Sequence, residues 1–219
     1  MYSLGYTLEN AKEFSTMTRM ARFYAALPIL SRSLSASILQ SRGFLSQMDS
    51  NAEQLLGVAK ELRHAELFKD CLLLYLGPWC SDFEPQIDDH KTNLLACTLR
   101  NRICHKIAVA QGGILDALAG RSYFEYDSAD GRKFANKHYE IANESFEEIE
   151  HGPHGKACMP CFFRALKNAD LMGAKFLKED CLDTLFENYL ILPALDDYQC
   201  HFLCAKILDE ELPWDRTQN

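Results

Sequence analysis

The chain has 219 residues and a mass of 25.0 kDa, 47% of them hydrophobic and 25% charged, which suits one domain or two small ones with a real core and excludes a disordered chain. A net charge of −8 and a pI near 5.4 argue against nucleic acid, whose phosphates attract basic surfaces, and against a polybasic membrane patch.

Met1 to Leu8, MYSLGYTL, has a strand-like aromatic and aliphatic character. Asn10 with Glu13 then makes a capping box and predicts a helix hairpin running to about Leu39, with Pro28 in the first turn of its second helix. Ser41-Arg42-Gly43 reads as a loop, and Phe44, Leu45 and Met48 as a short apolar turn. A second hairpin follows from Asn51 to Trp79. Ser50 and Glu53 match a capping box; Leu55, Leu56, Ala59 and Leu62 recur at helical steps. The pattern blurs at Arg63-His64, resumes with Leu67, Phe68, Cys71, Leu72 and Tyr75, and stops at Gly77-Pro78.

The two hairpins align without gaps at a shift of 38 positions. Met17 falls on Leu55, Met20 on Val58, Ala21 on Ala59, Tyr24 on Leu62, Ile29 on Leu67, Leu30 on Phe68, Leu34 on Leu72 and Ile38 on Leu76. Two copies of a helix-pair repeat bury their apolar stripes by stacking, so the expectation is a stacked pair of hairpins, as against two unrelated amphipathic pairs.

An acidic, Pro-containing connection spans Pro78 to Asp89. Leu95, Leu99, Ile103 and Ile107 predict a helix from Lys91 to Gln111, stopped or kinked by Gly112-Gly113, with a short helix to Leu118 and Gly120 beyond. Arg121 to Gly131 is a polar loop. Lys133 to Ile149 is amphipathic, with Ala135, Tyr139, Ala142, Phe146 and Ile149 on one face and Glu144, Glu147, Glu148 and Glu150 on the other. After HGPHGKACMPC, helices are expected at Phe162 to Ala169 and Leu171 to Leu192, and the tail holds a short apolar run and an exposed Pro213-Trp214. No alternating run or βαβ rhythm occurs, so the fold class is all-α: a helical bundle of stacked helix hairpins.

No segment approaches the roughly 18 uninterrupted apolar residues of a membrane span. Glu9, Lys12 and Glu13 sit early, and no hydrophobic signal core precedes a cleavage site. An intracellular protein, cytoplasmic or nuclear, is expected, with its nine cysteines mostly reduced and Cys71 and Cys181 buried as small hydrophobes.

Three stretches, ARFYAALPILSRSLSASIL, LLGVAKELRHAELFKDCLLLYLGPW and the tail YQCHFLCAKILDEELPWD, resemble the C-terminal region of fungal BTB/POZ-domain proteins, in the same order and over nearly the whole chain. The resemblance implies a BACK-like helical fold and a non-enzymatic interaction or adaptor role. It makes residues 1–8 similar to the end of a BTB core, and residues 9–219 an all-helical domain, with paired hairpins at 9–80 and further helices and the tail at 81–219. The chain looks like such a protein without most of the strand-rich BTB core, so the resemblance is not expected to carry over that domain's dimerisation and cullin docking. The expected partners are proteins, with no nucleic acid and no membrane.

Two chemical alternatives centre on one loop. His151, His154, Cys158 and Cys161 are spaced H-x2-H-x3-C-x2-C among glycines, a donor set able to hold a structural zinc. The usual signature has a longer element between ligand pairs, and ordinary loop residues are the plainer reading. Cys200, His201 and Cys204 are further donors, although HFLC reads better as core packing. Cys158-Met159-Pro160-Cys161 opens a helix whose dipole favours a thiolate, which permits a thiol oxidoreductase, without the βαβ context of a thioredoxin. No phosphate-binding glycine loop and no nucleophile elbow occur, and Glu147-Glu148 reads as a solvated face. His64, His105 and His138 read as packing or surface residues. No catalytic residue and no cofactor is assigned beyond that possible zinc.

Overall fold

Asn10 starts the first helix as its side chain predicts. In the computed structural model, which describes residues 6–77, 84–118, 136–143, 159–169, 177–192 and 203–215, its Oδ1 accepts the Glu13 N–H at 2.9 Å and opens α1 (Ala11–Phe23). The Glu13 carboxylate reaches past the cap to the Glu9 N–H at 2.8 Å. Pro28 lies in the first turn of α2 (Leu27–Gln40). Along α2 the hydroxyls of Ser33, Ser37 and the following Ser41 donate to carbonyls a turn back, at 3.0, 3.2 and 2.6 Å. This small, self-satisfied face receives residues 6–8. The Tyr6 hydroxyl lies 3.3 Å from Ser33 Oγ, and the Leu8 N–H donates to Ser41 Oγ at 2.7 Å.

A single turn, α3 (Arg42–Leu45), buries Phe44 and Leu45 and sets Phe44 edge-on to Phe14 at 5.7 Å. The second hairpin is α4 (Ala52–Glu61) and α5 (Ala65–Leu76). Ser50 is not its cap. The Ser50 hydroxyl and the Asn51 amide both donate to the Gln47 carbonyl, at 3.2 and 2.8 Å, so the turn at 46–51 consumes them and α4 starts without a side-chain cap.

The 38-residue correspondence extends to the backbone. Ala25 and Arg63 have φ of 54° and 52°, the left-handed conformation. Around each lies the same helix-ending motif: Ala26 N–H to Ala21 O at 2.7 Å and Ala25 N–H to Arg22 O at 3.1 Å, then His64 N–H to Ala59 O at 3.0 Å and Arg63 N–H to Lys60 O at 3.0 Å. The hairpins stack through α1 and α4. α5 is buried on all sides rather than along a stripe, which makes it the central helix.

Asp89 Oδ2 accepts the Thr92 N–H at 2.8 Å and hydroxyl at 2.6 Å, capping α6 (His90–Leu118). This helix runs through Gly112-Gly113 instead of stopping there. Each glycine costs about 1 kcal/mol against alanine, but Ile107, Ala110, Ile114 and Ala117 keep one buried face in register across both, and packing prevails.

Residues 136–143 form α7, which packs through Ile141 and half-buried His138, the latter edge-on to Phe162 at 5.6 Å. Tyr139, expected on the apolar face, is exposed. α8 (Met159–Asn168) buries Phe163 and Leu166. A π-helical turn (Leu177–Leu182) leads into one turn of α9 (Asp183–Leu185), and both pack on α6. The helix expected to reach Leu192 ends here, and side chains, not helix carbonyls, take the N–H groups at 190–192. Asn188 Oδ1 accepts from Leu190 N–H at 3.0 Å, and Asp70 accepts from Ile191 and Leu192.

The tail staples the central helices. Leu203 N–H donates to Gly77 O at 3.2 Å; Leu203, Cys204, Ala205, Ile207 and Leu212 are buried. Lys69 pairs with Asp209 at 2.6 Å and Arg102 with Glu211 around a 3-10 turn, Asp209–Glu211. Trp214, expected to be exposed, instead lies half-buried and edge-on to Phe68 at 5.0 Å. The described residues contain no strand, and the fold is all-α, with one cluster of buried apolar side chains from Leu8 to Leu212.

Candidate functional site

Of the proposed zinc ligands, only Cys161 falls among the described residues. It sits in the first turn of α8 and is disulfide-bonded, a state in which its sulfur has no thiolate to offer a metal. His151, His154 and Cys158, and with them the rest of the zinc and thiol oxidoreductase readings, lie outside the described residues, as do Cys200 and His201. Burial pushes the Cys204 thiol up to about 11 and the Cys71 thiol up as well, so both stay protonated. Cys71 and Cys181 are buried, as expected. Among the described residues, no three His, Cys, Asp or Glu side chains converge as a metal site, and no helix is long and apolar enough to cross a membrane.

Ser35, His64 and Glu66 stand together between the hairpins and resemble catalytic components. Their connectivity is wrong for that use. His64 Nδ1 accepts the Leu67 N–H at 3.2 Å and so caps α5, which leaves the proton of the neutral ring on Nε2. Nε2 therefore donates to Ser35 Oγ, 2.9 Å away, and the Ser35 hydroxyl donates a hydrogen bond to Glu66 Oε2 at 3.3 Å. A ring that donates to the serine cannot deprotonate it, and the carboxylate orients the serine rather than the imidazole. Burial holds the His64 pKa below its ordinary value and preserves the neutral clamp.

A charged cleft of about 510 Å3 lies between the second hairpin and the start of α6, lined by Arg22, Glu53, Lys60, Glu61, Asp88 and Asp89 among others. Its principal charges are already matched, Arg22 with Glu61 and Lys60 with Asp89. Lys60 first, and the Thr92 donors next, hold Asp89 well below the usual carboxylate range. The cleft is a structural joint.

The first hairpin differs from the second on its outer face. Met20, Phe23, Tyr24 and Ile29 are 55%, 83%, 70% and 72% exposed, whereas Leu62 and Leu67, which stand at the repeat positions of Tyr24 and Ile29, are 4% and 0% exposed. Phe23 and Tyr24 meet edge-on at 5.0 Å and make a continuous aromatic surface at the hairpin tip. The segment between Glu13 and Asp49 holds four arginines, Arg19, Arg22, Arg32 and Arg42, and no carboxylate, so the net negative charge of the chain lies elsewhere. Sequence periodicity placed Met20, Tyr24 and Ile29 in an apolar stripe but could not report that nothing covers it. The four-arginine, acid-free composition was the available signal. Pro213-Trp214 serves the core instead, and the acidic side of the 133–149 segment lies outside the described residues.

No family model, curated protein or solved structure matches the chain.

Proposed function

We propose that the chain is a non-enzymatic protein-interaction module, an adaptor of the kind that the helical region of fungal BTB-domain proteins resembles, working inside the cell. The observation that carries this reading is the outer face of the first hairpin, where Tyr24 and Ile29 stand in solvent at positions that the second hairpin buries, with exposed Met20 and Phe23 beside them. A contiguous apolar patch of this kind marks an interaction surface more often than a catalytic one. The Ser35–His64–Glu66 cluster is taken up by structural bonds, and the charged cleft's Arg22–Glu61 and Lys60–Asp89 are paired with one another. The tail resembling the family's closing motif acts as a staple, as a scaffold module requires.

The test is affinity capture with the purified chain from native extract, followed by mass spectrometry and an activity screen. A protein recovered in near-stoichiometric amount is expected. Absence of any protein partner, together with turnover of a substrate by the purified chain, would overturn the reading.

A further inference from the structure

We propose that the open face of the first hairpin docks an acidic, amphipathic helical hairpin of another protein, seated where a preceding repeat would lie. This deepens the interaction reading and rests on it.

The internal stack defines what such a face receives. The second hairpin turns Gln54, Glu61 and His64 toward the first, which meets them with Ser15, Arg22 and Ser35, and Leu62 lines a cleft with Leu27 and Pro28 of the first. Shifted back 38 positions, those four become Thr16, Phe23, Tyr24 and Ala26. The repeat thus places the aromatic patch on the surface that takes a helix pair in the next copy, and the occupant is a helix pair by continuity with an interface already present in the fold.

Charge then selects the occupant. Glu61 offered a carboxylate to the covering hairpin's Arg22; its counterpart Phe23 offers an apolar ring. The charges around the patch are instead Arg19, one turn before Phe23 on α1, and Arg32, one turn after Ile29 on α2. Arg32 also lines, with Leu27, Pro28 and Ser31, a cleft of about 440 Å3 shared with Glu61, Leu62 and Arg63 of the second hairpin. A partner needs apolar side chains for Phe23, Tyr24 and Ile29 and carboxylates for Arg19 and Arg32. A second copy docked face to face would set these arginines against their own images, which disfavours self-association. An anionic bilayer shares the charge preference but lacks the grooves between side chains that a helix-packing face is shaped to fill.

The probe is a labelled synthetic peptide of about 20 residues, long enough to form a helix, with leucines at helical spacing flanked by glutamates. Its control carries lysine for every glutamate. The expected result is binding of the glutamate peptide by fluorescence anisotropy, at least about tenfold tighter than the lysine peptide and weakened by salt. Phe23→Asp and Ile29→Asp should abolish binding without lowering the melting temperature, since both side chains already stand in solvent. Arg32→Glu should shift the preference toward the lysine peptide.

Equal affinity for both peptides, or binding untouched by Phe23→Asp, overturns the proposal. So does a concentration-dependent dimer lost in Phe23→Asp, which assigns the face to a second copy. Binding to phosphatidylserine vesicles, lost in Phe23→Asp, without peptide binding assigns it to a bilayer and likewise overturns the proposal. If the peptide fails while a partner from extract binds wild type and Phe23→Asp alike, this inference falls and the interaction reading stands.

Discussion

The Asp70 carboxylate accepts the Leu192 N–H at 2.7 Å across 122 residues of chain, and the Ile191 N–H at 2.9 Å beside it. It is wholly buried in α5 and ties the segment after α9 to the central helix. Burial pushes its pKa up to about 6, helped by Glu66, although the two N–H donors and Lys69 pull it down. Because the folded value lies above the unfolded one, this group's contribution is fully present below about pH 4 and is lost as pH rises through about 6. Asp70→Asn removes that dependence. The stability of wild type relative to Asp70→Asn should fall by up to about 3 kcal/mol between pH 4 and 7. Urea denaturation across that range checks it; a flat difference would contradict it. Asp70→Ala leaves two buried N–H groups without an acceptor and should destabilise by about 2–3 kcal/mol at neutral pH.

His64 has the opposite sign. Burial lowers its pKa, so its neutral form supports the fold fully above about pH 6.5, and that support is lost as pH falls toward the folded value. Protonation also removes the Nδ1 acceptor from the Leu67 N–H. His64→Asn keeps a good cap that does not titrate. The wild type should lose stability relative to this variant between pH 7.5 and 5, and His64→Ala should cost about 1–2 kcal/mol at pH 7.5. Denaturant midpoints at the two pH values decide it.

Ala25 and Arg63 occupy matching left-handed positions without being glycine. Ala25→Gly should stabilise by about 0.5–1 kcal/mol, because the left-handed conformation is costly for a residue with a Cβ and not for glycine. Destabilisation, in equilibrium unfolding, would contradict the left-handed geometry at Ala25.

Gly112 lies inside α6, and a Cβ there would meet nothing within 4 Å. Gly112→Ala should therefore stabilise by about 0.5–1 kcal/mol. A break at this position would make the same change neutral or harmful, so the measured sign tests the continuity of the helix.

The two hairpins were legible because local signals coincide: Asn10 caps, Pro28 fits a first turn, and apolar residues recur at helical steps. The repeat was visible as a pattern of apolar positions, yet its sharpest feature was not. Sequence marks a left-handed helix end by glycine, and Ala25 and Arg63 hide it. Gly112-Gly113 misled in the other direction, because the packing that holds α6 together comes from other elements. The early end of the 171–192 helix was illegible for a similar reason, as Asp70, which takes the Ile191 and Leu192 N–H groups that a longer helix would bond internally, lies on α5. Periodicity locates an apolar face, as it did at Tyr24 and Ile29, but whether anything covers that face depends on the rest of the molecule.

The central claim is that the first hairpin presents an open docking face. Hydroxyl-radical footprinting, read residue by residue, tests it most directly with the chain alone and in complex with the partner recovered from extract. Phe23 and Tyr24 should react strongly in the free chain and be protected several-fold in the complex, while Tyr139, exposed on α7, stays unchanged. Unaltered reactivity at Phe23 and Tyr24, or protection centred on Tyr139 instead, would contradict the account.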